Sequence, residues 1–241
     1  MSRRSERSER RLFLAEGRNA VEAALDAGVV VEVFARPSRD HLMPELPDDI
    51  AVTWVDERAL KALSDAVTPA GVVALCRFVD VPLDEALVGG YVALCAHVSD
   101  PGNAGTVIRC ADAAGAGGVV LAGQSVDLYN AKTIRASAGS AFHLPVAIGV
   151  DAVDAVAAAR AAGFQILSTE ADGDLDLFDA DDVLARPTAW LFGNEAHGLS
   201  RDLAGLADHR VRIPIHGRAE SLNLSTAAAL CLYASARAQR R

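Results

Sequence analysis

Residues 213–229 read Ile-Pro-Ile-His-Gly-Arg-Ala-Glu-Ser-Leu-Asn-Leu-Ser-Thr-Ala-Ala-Ala, placing Ser221, Asn223, Ser225 and Thr226 between a strand tip and an Ala-rich helical segment. A helix start exposes N–H groups that short polar side chains satisfy. One cap needs one such residue. A surplus of hydroxyls and amides beside those N–H groups also suits a polar or anionic ligand. Capping and ligand binding therefore both stand for this segment.

Two further stretches repeat the order of apolar strand, polar loop and helix. In Ser99-Asp-Pro-Gly-Asn-Ala-Gly-Thr-Val-Ile-Arg109, the pattern predicts a buried strand over 91–98 and a turn over 100–103. A helix follows over 104–114, stopped by Gly115. Arg109 falls in the first two turns of that helix, so it can face one cleft with Asn103. Taken singly, the two are a turn asparagine and a solvated helix arginine. In Trp190-Leu-Phe-Gly-Asn-Glu-Ala-His-Gly-Leu-Ser200, Glu195 sits in a loop flanked by glycines after another apolar strand.

Together the three stretches resemble the SpoU (TrmH-like) family of RNA ribose 2′-O-methyltransferases. The first is similar to its Asp-Pro-x-Asn-x-Gly…Arg motif, the second to Gly-x-Glu-x-x-Gly, and the third to Ile-Pro-x-x-Gly…Ser-Leu-Asn-x-Ser. Order and spacing agree over roughly residues 90 to 236, and Ala136-Ser-Ala-Gly-Ser-Ala-Phe-His-Leu-Pro-Val146 resembles a further family segment. Upstream, Phe13-Leu-Ala-Glu-Gly-Arg18 and Thr68-Pro-Ala-Gly-Val-Val-Ala-Leu75 resemble the small substrate-binding domain that precedes many such enzymes.

The resemblance implies S-adenosylmethionine as methyl donor and a ribose 2′-hydroxyl of structured RNA as acceptor, ribosomal RNA ahead of transfer RNA. It implies a homodimer and a deep trefoil knot, a topology that general connection rules disfavour. Gly193, Ile213 and Leu222 match its cofactor positions, with Thr169 a looser match; Asn103, Arg109, Glu195, Ser221 and Asn223 match its catalytic motifs. Family chemistry proposes the arginine as base, yet a guanidinium is effectively always protonated in proteins. Arg109 is thus either a base that loses its proton under a bound phosphate or a cation stabilising the developing alkoxide. Asn103 would orient Arg109 or the ribose, and Glu195 would either pair with Arg109 or hold its loop.

The elements that must position these residues alternate along the chain. Strands are predicted over 29–35, 51–55 and 71–76 and helices over 19–27 and 57–65, forming an α/β module over 11–79. Residues 80–90, with Pro82 and the Gly89-Gly90 pair, read as a linker between separate cores, and residues 1–10 as a disordered tail. Over 91–241, strands at 91–98, 118–122, 144–148, 165–168, 189–192 and 210–213 are separated by helices, most clearly 152–162, and a final helix continues to about Arg237. Continuous apolar strands of this kind predict a mostly parallel sheet covered on both faces.

Composition narrows the alternatives. The 241 residues carry a formal net charge of −9, so RNA recognition must come from a local basic face, such as Arg3, Arg4, Arg7, Arg10 and Arg11 or the closing Arg237, Arg240 and Arg241. The four cysteines and six histidines show no metal-ligand spacing, so no metal is expected. No apolar run of membrane length occurs and the first ten residues are charged, so a cytoplasmic protein is expected. A nucleotide-dependent oxidoreductase shares the architecture, but its G-x-G-x-x-G turn is absent: Gly115-Ala-Gly-Gly118 precedes a strand instead. A catalytically silent RNA-binding protein of the same fold is the other competing reading.

Overall fold

The computed structural model describes residues 3–38, 43–64 and 70–240; Asp65, Thr68 and Arg241 lie outside them. The N-terminal part comprises α1 (Arg4–Arg10), β1 (Leu12–Glu16), α2 (Arg18–Asp26), β2 (Val30–Ala35), β3 (Ala51–Trp54), α3 (Glu57–Leu63) and β4 (Val72–Arg77). Its four strands form one sheet in the order β1-β4-β2-β3, with only the β2–β3 pair parallel.

After α4 (Leu83–Ala86) come β5 (Tyr91–Ala96), α5 (Pro101–Ala114), β6 (Val119–Ala122), α6 (Ala131–Ser137), β7 (Val146–Ile148), α7 (Ala152–Ala161), β8 (Gln165–Thr169) and β9 (Leu175–Asp176). The chain closes with α8 (Asp181–Leu184), β10 (Thr188–Phe192), α9 (Arg201–Ala204), β11 (His209–Arg212) and α10 (Leu224–Gln239). The seven strands run parallel in the order β7-β6-β5-β10-β8-β11-β9.

The continuous apolar runs follow from burial on both faces of this sheet. Tyr91, Ala93 and Cys95 pack with Val107, Ile108 and Leu232 on one side. Val92, Leu94 and Ala96 alternate to the other, against Ala155, Val156 and Ala159 of α7. The final helix is fastened by buried polar contacts, with Trp190 Nε1 donating to Ser235 Oγ at 2.9 Å. At its end, Gln239 Nε2 donates to the Gly90 and Leu184 carbonyls at 3.0 Å.

Two expectations change. Residues 4–10 are helical rather than disordered, because Arg7 has a partner: its Nη2 lies 2.5 Å from Asp127 Oδ2, with the two side chains only 8% and 12% exposed. Nor do residues 80–90 separate two cores. Ala86 and Leu87 are buried, and Tyr129 accepts from the Val79 and Asp80 N–H groups at 2.8 and 2.7 Å while stacking on Phe78. Phe13 of β1 contacts both Tyr129 and Phe142, so the two sheets share one continuous core.

Arg7→Ala removes the cation from the part-buried Asp127 carboxylate, which keeps only the Tyr129 N–H among the described residues, and should lower unfolding free energy by about 2 kcal/mol in urea denaturation. Arg10→Ala, at an exposed position of the same helix, should cost under about 0.5 kcal/mol. Equal effects would mean that α1 is not anchored through Arg7.

Candidate active site

The three chemistry-bearing segments converge at the C-terminal ends of β5, β10, β8 and β11, the edge at which open parallel sheets present ligand crevices. The expected turn over 100–103 is instead the first turn of α5. Pro101 starts the helix with its φ already suited, and Asp100 caps it by accepting from Asn103 N–H at 2.8 Å. The Asn103 side chain consequently projects from a helix, which fixes it better than a turn would.

Asn103 joins all three segments. Its Nδ2 donates to Glu195 Oε1 at 3.1 Å, and its Oδ1 accepts from Asn223 Nδ2 at 2.9 Å. Asn223 caps α10 with its other end, its Oδ1 accepting from Ser225 N–H at 2.9 Å and from Ser225 Oγ at 2.6 Å. The same residue therefore caps the helix and reaches into the site.

Glu195 makes no ion pair with Arg109; it holds the loop. Its Oε2 accepts from Ser99 N–H at 3.0 Å and Ser99 Oγ at 2.9 Å, and its Oε1 from Asp100 N–H at 3.0 Å besides Asn103. Partial burial pushes this carboxyl up, but the N–H groups of Ser99 and Asp100, with Asn103, outweigh burial and leave it below its usual range. Arg109 is exposed on α5, its guanidinium making no hydrogen bond or ion pair among the described residues. A free cation thus stands on the helix that carries Asn103.

Thr169, Ile213, Ser221 and Leu222 line one open cleft with Val211, Ile215 and Ala227. Leu222 is 36% exposed there, an apolar side chain with one face uncovered. The mix of apolar walls and strand-end backbone fits a flat heterocycle that needs few hydrogen bonds. Gly193 lies in the loop that follows β10. A Cβ at Gly193 would lie 2.3 Å from the Gly198 carbonyl carbon, so the glycine is required by its own loop folding back, where Asn194 and Gly198 pair. No group of three or more potential metal ligands exists among the described residues.

Three participants escaped the motif reading. Ser99 supplies two donors to Glu195; Lys132 Nζ pairs with Asp100 Oδ2 at 2.8 Å; Asn194 Nδ2 donates to the His97 carbonyl at 2.9 Å. Asp before Pro and Asn after Gly are local capping signals, but nothing local marks Lys132 as their neighbour.

Because the folded carboxyl is depressed, Glu195 stabilises the fold above its ordinary value near 4.5 and loses that contribution as pH falls through the lower folded value. Glu195→Gln should melt below wild type at pH 7. The gap should close as pH drops below about 4.5, and a gap constant with pH would contradict the four-donor account.

Comparison with known proteins agrees with this geometry. The SpoU rRNA Methylase family matches residues 91–233, and the MRM3-like substrate binding domain matches residues 1–74. The chain is 32% identical over 231 residues to the 23S rRNA (guanosine(2553)-2′-O)-methyltransferase of Bacillus subtilis, spanning 95% of this chain and 90% of that protein. The SpoU methyltransferase AviRb from Streptomyces viridochromogenes superimposes with a TM-score of 0.84 at 32% identity, covering 99% of this chain and 93% of its own. Its complex with the cofactor AdoMet gives 0.83 at 33% identity, covering 99% and 94%. With three motifs joined through Asn103 and a profile match over most of the large sheet's domain, the chain belongs to the SpoU rRNA methylase family.

Proposed function

We propose that this protein methylates a ribose 2′-hydroxyl of ribosomal RNA with S-adenosylmethionine as donor. The observation that carries the reading is the bonding of Asn103 to both Glu195 and Asn223, whose chain neighbours Ser221 and Leu222 line the cleft. The donor supplies a methyl group on a positively charged sulfur. The chain's own residues position and stabilise. Ile213, Leu222 and Thr169 would flank the adenine, with Ser221 at the cleft wall and Gly193 allowing the adjoining loop to close. Asn103, held at both ends of its amide, would orient the ribose. Glu195 would act through geometry, by fixing the loop at 99–100.

For Arg109 we favour electrostatic stabilisation of the oxygen as its proton leaves. A guanidinium remains cationic under almost all conditions, and among the described residues no carboxylate pairs with Arg109. Rigid placement can account for several kcal/mol of barrier lowering.

The N-terminal sheet and α1 would grip RNA away from the reacting nucleotide, by shape and phosphate contacts. Supporting this are the substrate-binding domain match and the exposed Arg3, Arg4 and Arg10 around the anchored Arg7. Ribosomal RNA is favoured over transfer RNA because relatives such as the Bacillus subtilis enzyme act on 23S rRNA. The knot belongs to the proposal too, supported by α10 lying against β5 and β10. So do a cytoplasmic location and a homodimer. Phe178, Leu230 and Tyr233, at 51%, 37% and 53% exposure, leave an apolar patch beside the outer face of α10 that a second copy would cover.

Arg109→Ala should reduce methyl transfer to 23S rRNA at least about 100-fold. Its affinity for the donor in calorimetry should stay within a few-fold. Leu222→Arg should abolish donor binding by filling the cleft with a longer side chain whose positive charge opposes a cationic ligand. Active Arg109→Ala enzyme would remove the arginine from the chemistry, and wild-type protein that binds rRNA without transferring methyl would support the silent binder. Leu230→Asp should convert a dimer to a monomer in sedimentation velocity; an unchanged sedimentation coefficient would place the interface elsewhere.

A further inference from the structure

The cleft has a charge that the family motifs do not explain. Among the described residues its wall contains two carboxylates, Glu170 and Glu220, and no lysine, arginine or histidine. Glu220 is exposed and has no hydrogen bond or ion pair among the described residues. Glu170, with its side chain 22% exposed, accepts from Ser168 Oγ at 2.9 Å. The nearest cation to Glu170 is Arg210, whose Nη1 is 3.7 Å from its Oε2. Arg210 is shared with Asp172 and Asp174, at 3.9 and 2.9 Å, so this group remains net negative.

A negative wall is ill-suited to RNA phosphate and well suited to a cation. We propose that Glu170 and Glu220 make the cleft selective for charge, holding the sulfonium donor more tightly than its neutral thioether product. This rests on the reading of the cleft as the donor site. During transfer, the carbon–sulfur bond breaks as the carbon–oxygen bond forms. The bonding electron pair stays on sulfur and the hydroxyl proton leaves to solvent. The ligand therefore loses one positive charge at the moment of reaction, while its amino and carboxyl groups are unchanged. Attraction to the two carboxylates falls at that moment, which favours release of product over donor.

The test is calorimetric titration of the intact protein with S-adenosylmethionine and with S-adenosylhomocysteine, for wild type, Glu220→Gln, Glu170→Gln and the double variant. The ratio of donor to product affinity should fall by on the order of 3- to 10-fold for each carboxylate removed, the size of a charge pair several Å apart near a surface. Product affinity should stay within about 2-fold, and raising salt should shrink the wild-type preference. Equal weakening of both ligands would overturn the proposal, since it would place the carboxylates on the amino group common to both. An unchanged ratio would overturn it equally. Glu220→Gln removes an unpartnered surface charge and keeps the test valid if Glu170→Gln does not fold. Wild-type protein that bound neither ligand would instead remove the donor-site reading itself, a distinct result.

Discussion

A carboxylate can only accept hydrogen bonds, and the Glu195 carboxylate accepts four, from Ser99 N–H and Oγ, Asp100 N–H and Asn103 Nδ2. These donors lie more than 90 residues away in sequence. The start of α5 and the loop after β10 therefore cannot shift independently. Asn103 extends the constraint to the start of α10 through Asn223. Because the amide of Asn103 uses one donor toward Glu195 and its acceptor toward Asn223, its orientation is determined by its partners. What the site can do chemically follows from this: fixed amides on a fixed helix, the helix that also carries the exposed Arg109.

That arrangement needs a rigid base, which the sheet provides. Parallel strands β5, β10, β8 and β11 bring all the relevant loops to one edge, and burial on both faces keeps the edge from flexing. The C-terminal helix is secured inside this frame at Ser235 and Gln239, so the Asn223 end is delivered by an element that is itself pinned. The N-terminal sheet is not an appendage. Phe13, Phe78 and Tyr129 form an aromatic joint with Asp80, and the Arg7–Asp127 pair closes it from the other side. RNA held by that sheet would be presented in a fixed relation to the reacting edge.

Charge is divided over this frame. The chain is acidic overall, yet Asp100 is engaged by Lys132 and Glu195 by backbone N–H groups, and at the joint between the sheets Asp127 is engaged by Arg7. The cleft wall keeps Glu170 and Glu220, while Arg109 is exposed on α5. A cationic small molecule and a polyanion would thus meet surfaces of opposite sign on their way to one reaction.

The sequence by itself determined the parts whose information is local. Two-faced strands declare themselves as continuous apolar runs, Gly115 and Gly163 stop helices, and three motifs in order mark the loops that carry chemistry. Its motifs also pointed to Asn103, Glu195 and Asn223, which the fold joins by hydrogen bonds. Only the tertiary structure decided what those residues do for one another. Glu195 could as well have paired with Arg109; it holds Ser99 and Asp100 because the β5 and β10 registers set those loops side by side. By sequence Arg7 belongs to a disordered tail and a basic face; in the fold Asp127, 120 positions away, is its part-buried partner. Hydrogen bonds and ion pairs have ranges of a few Å, and a chain carries no local record of which distant donor will lie within that range once it has folded.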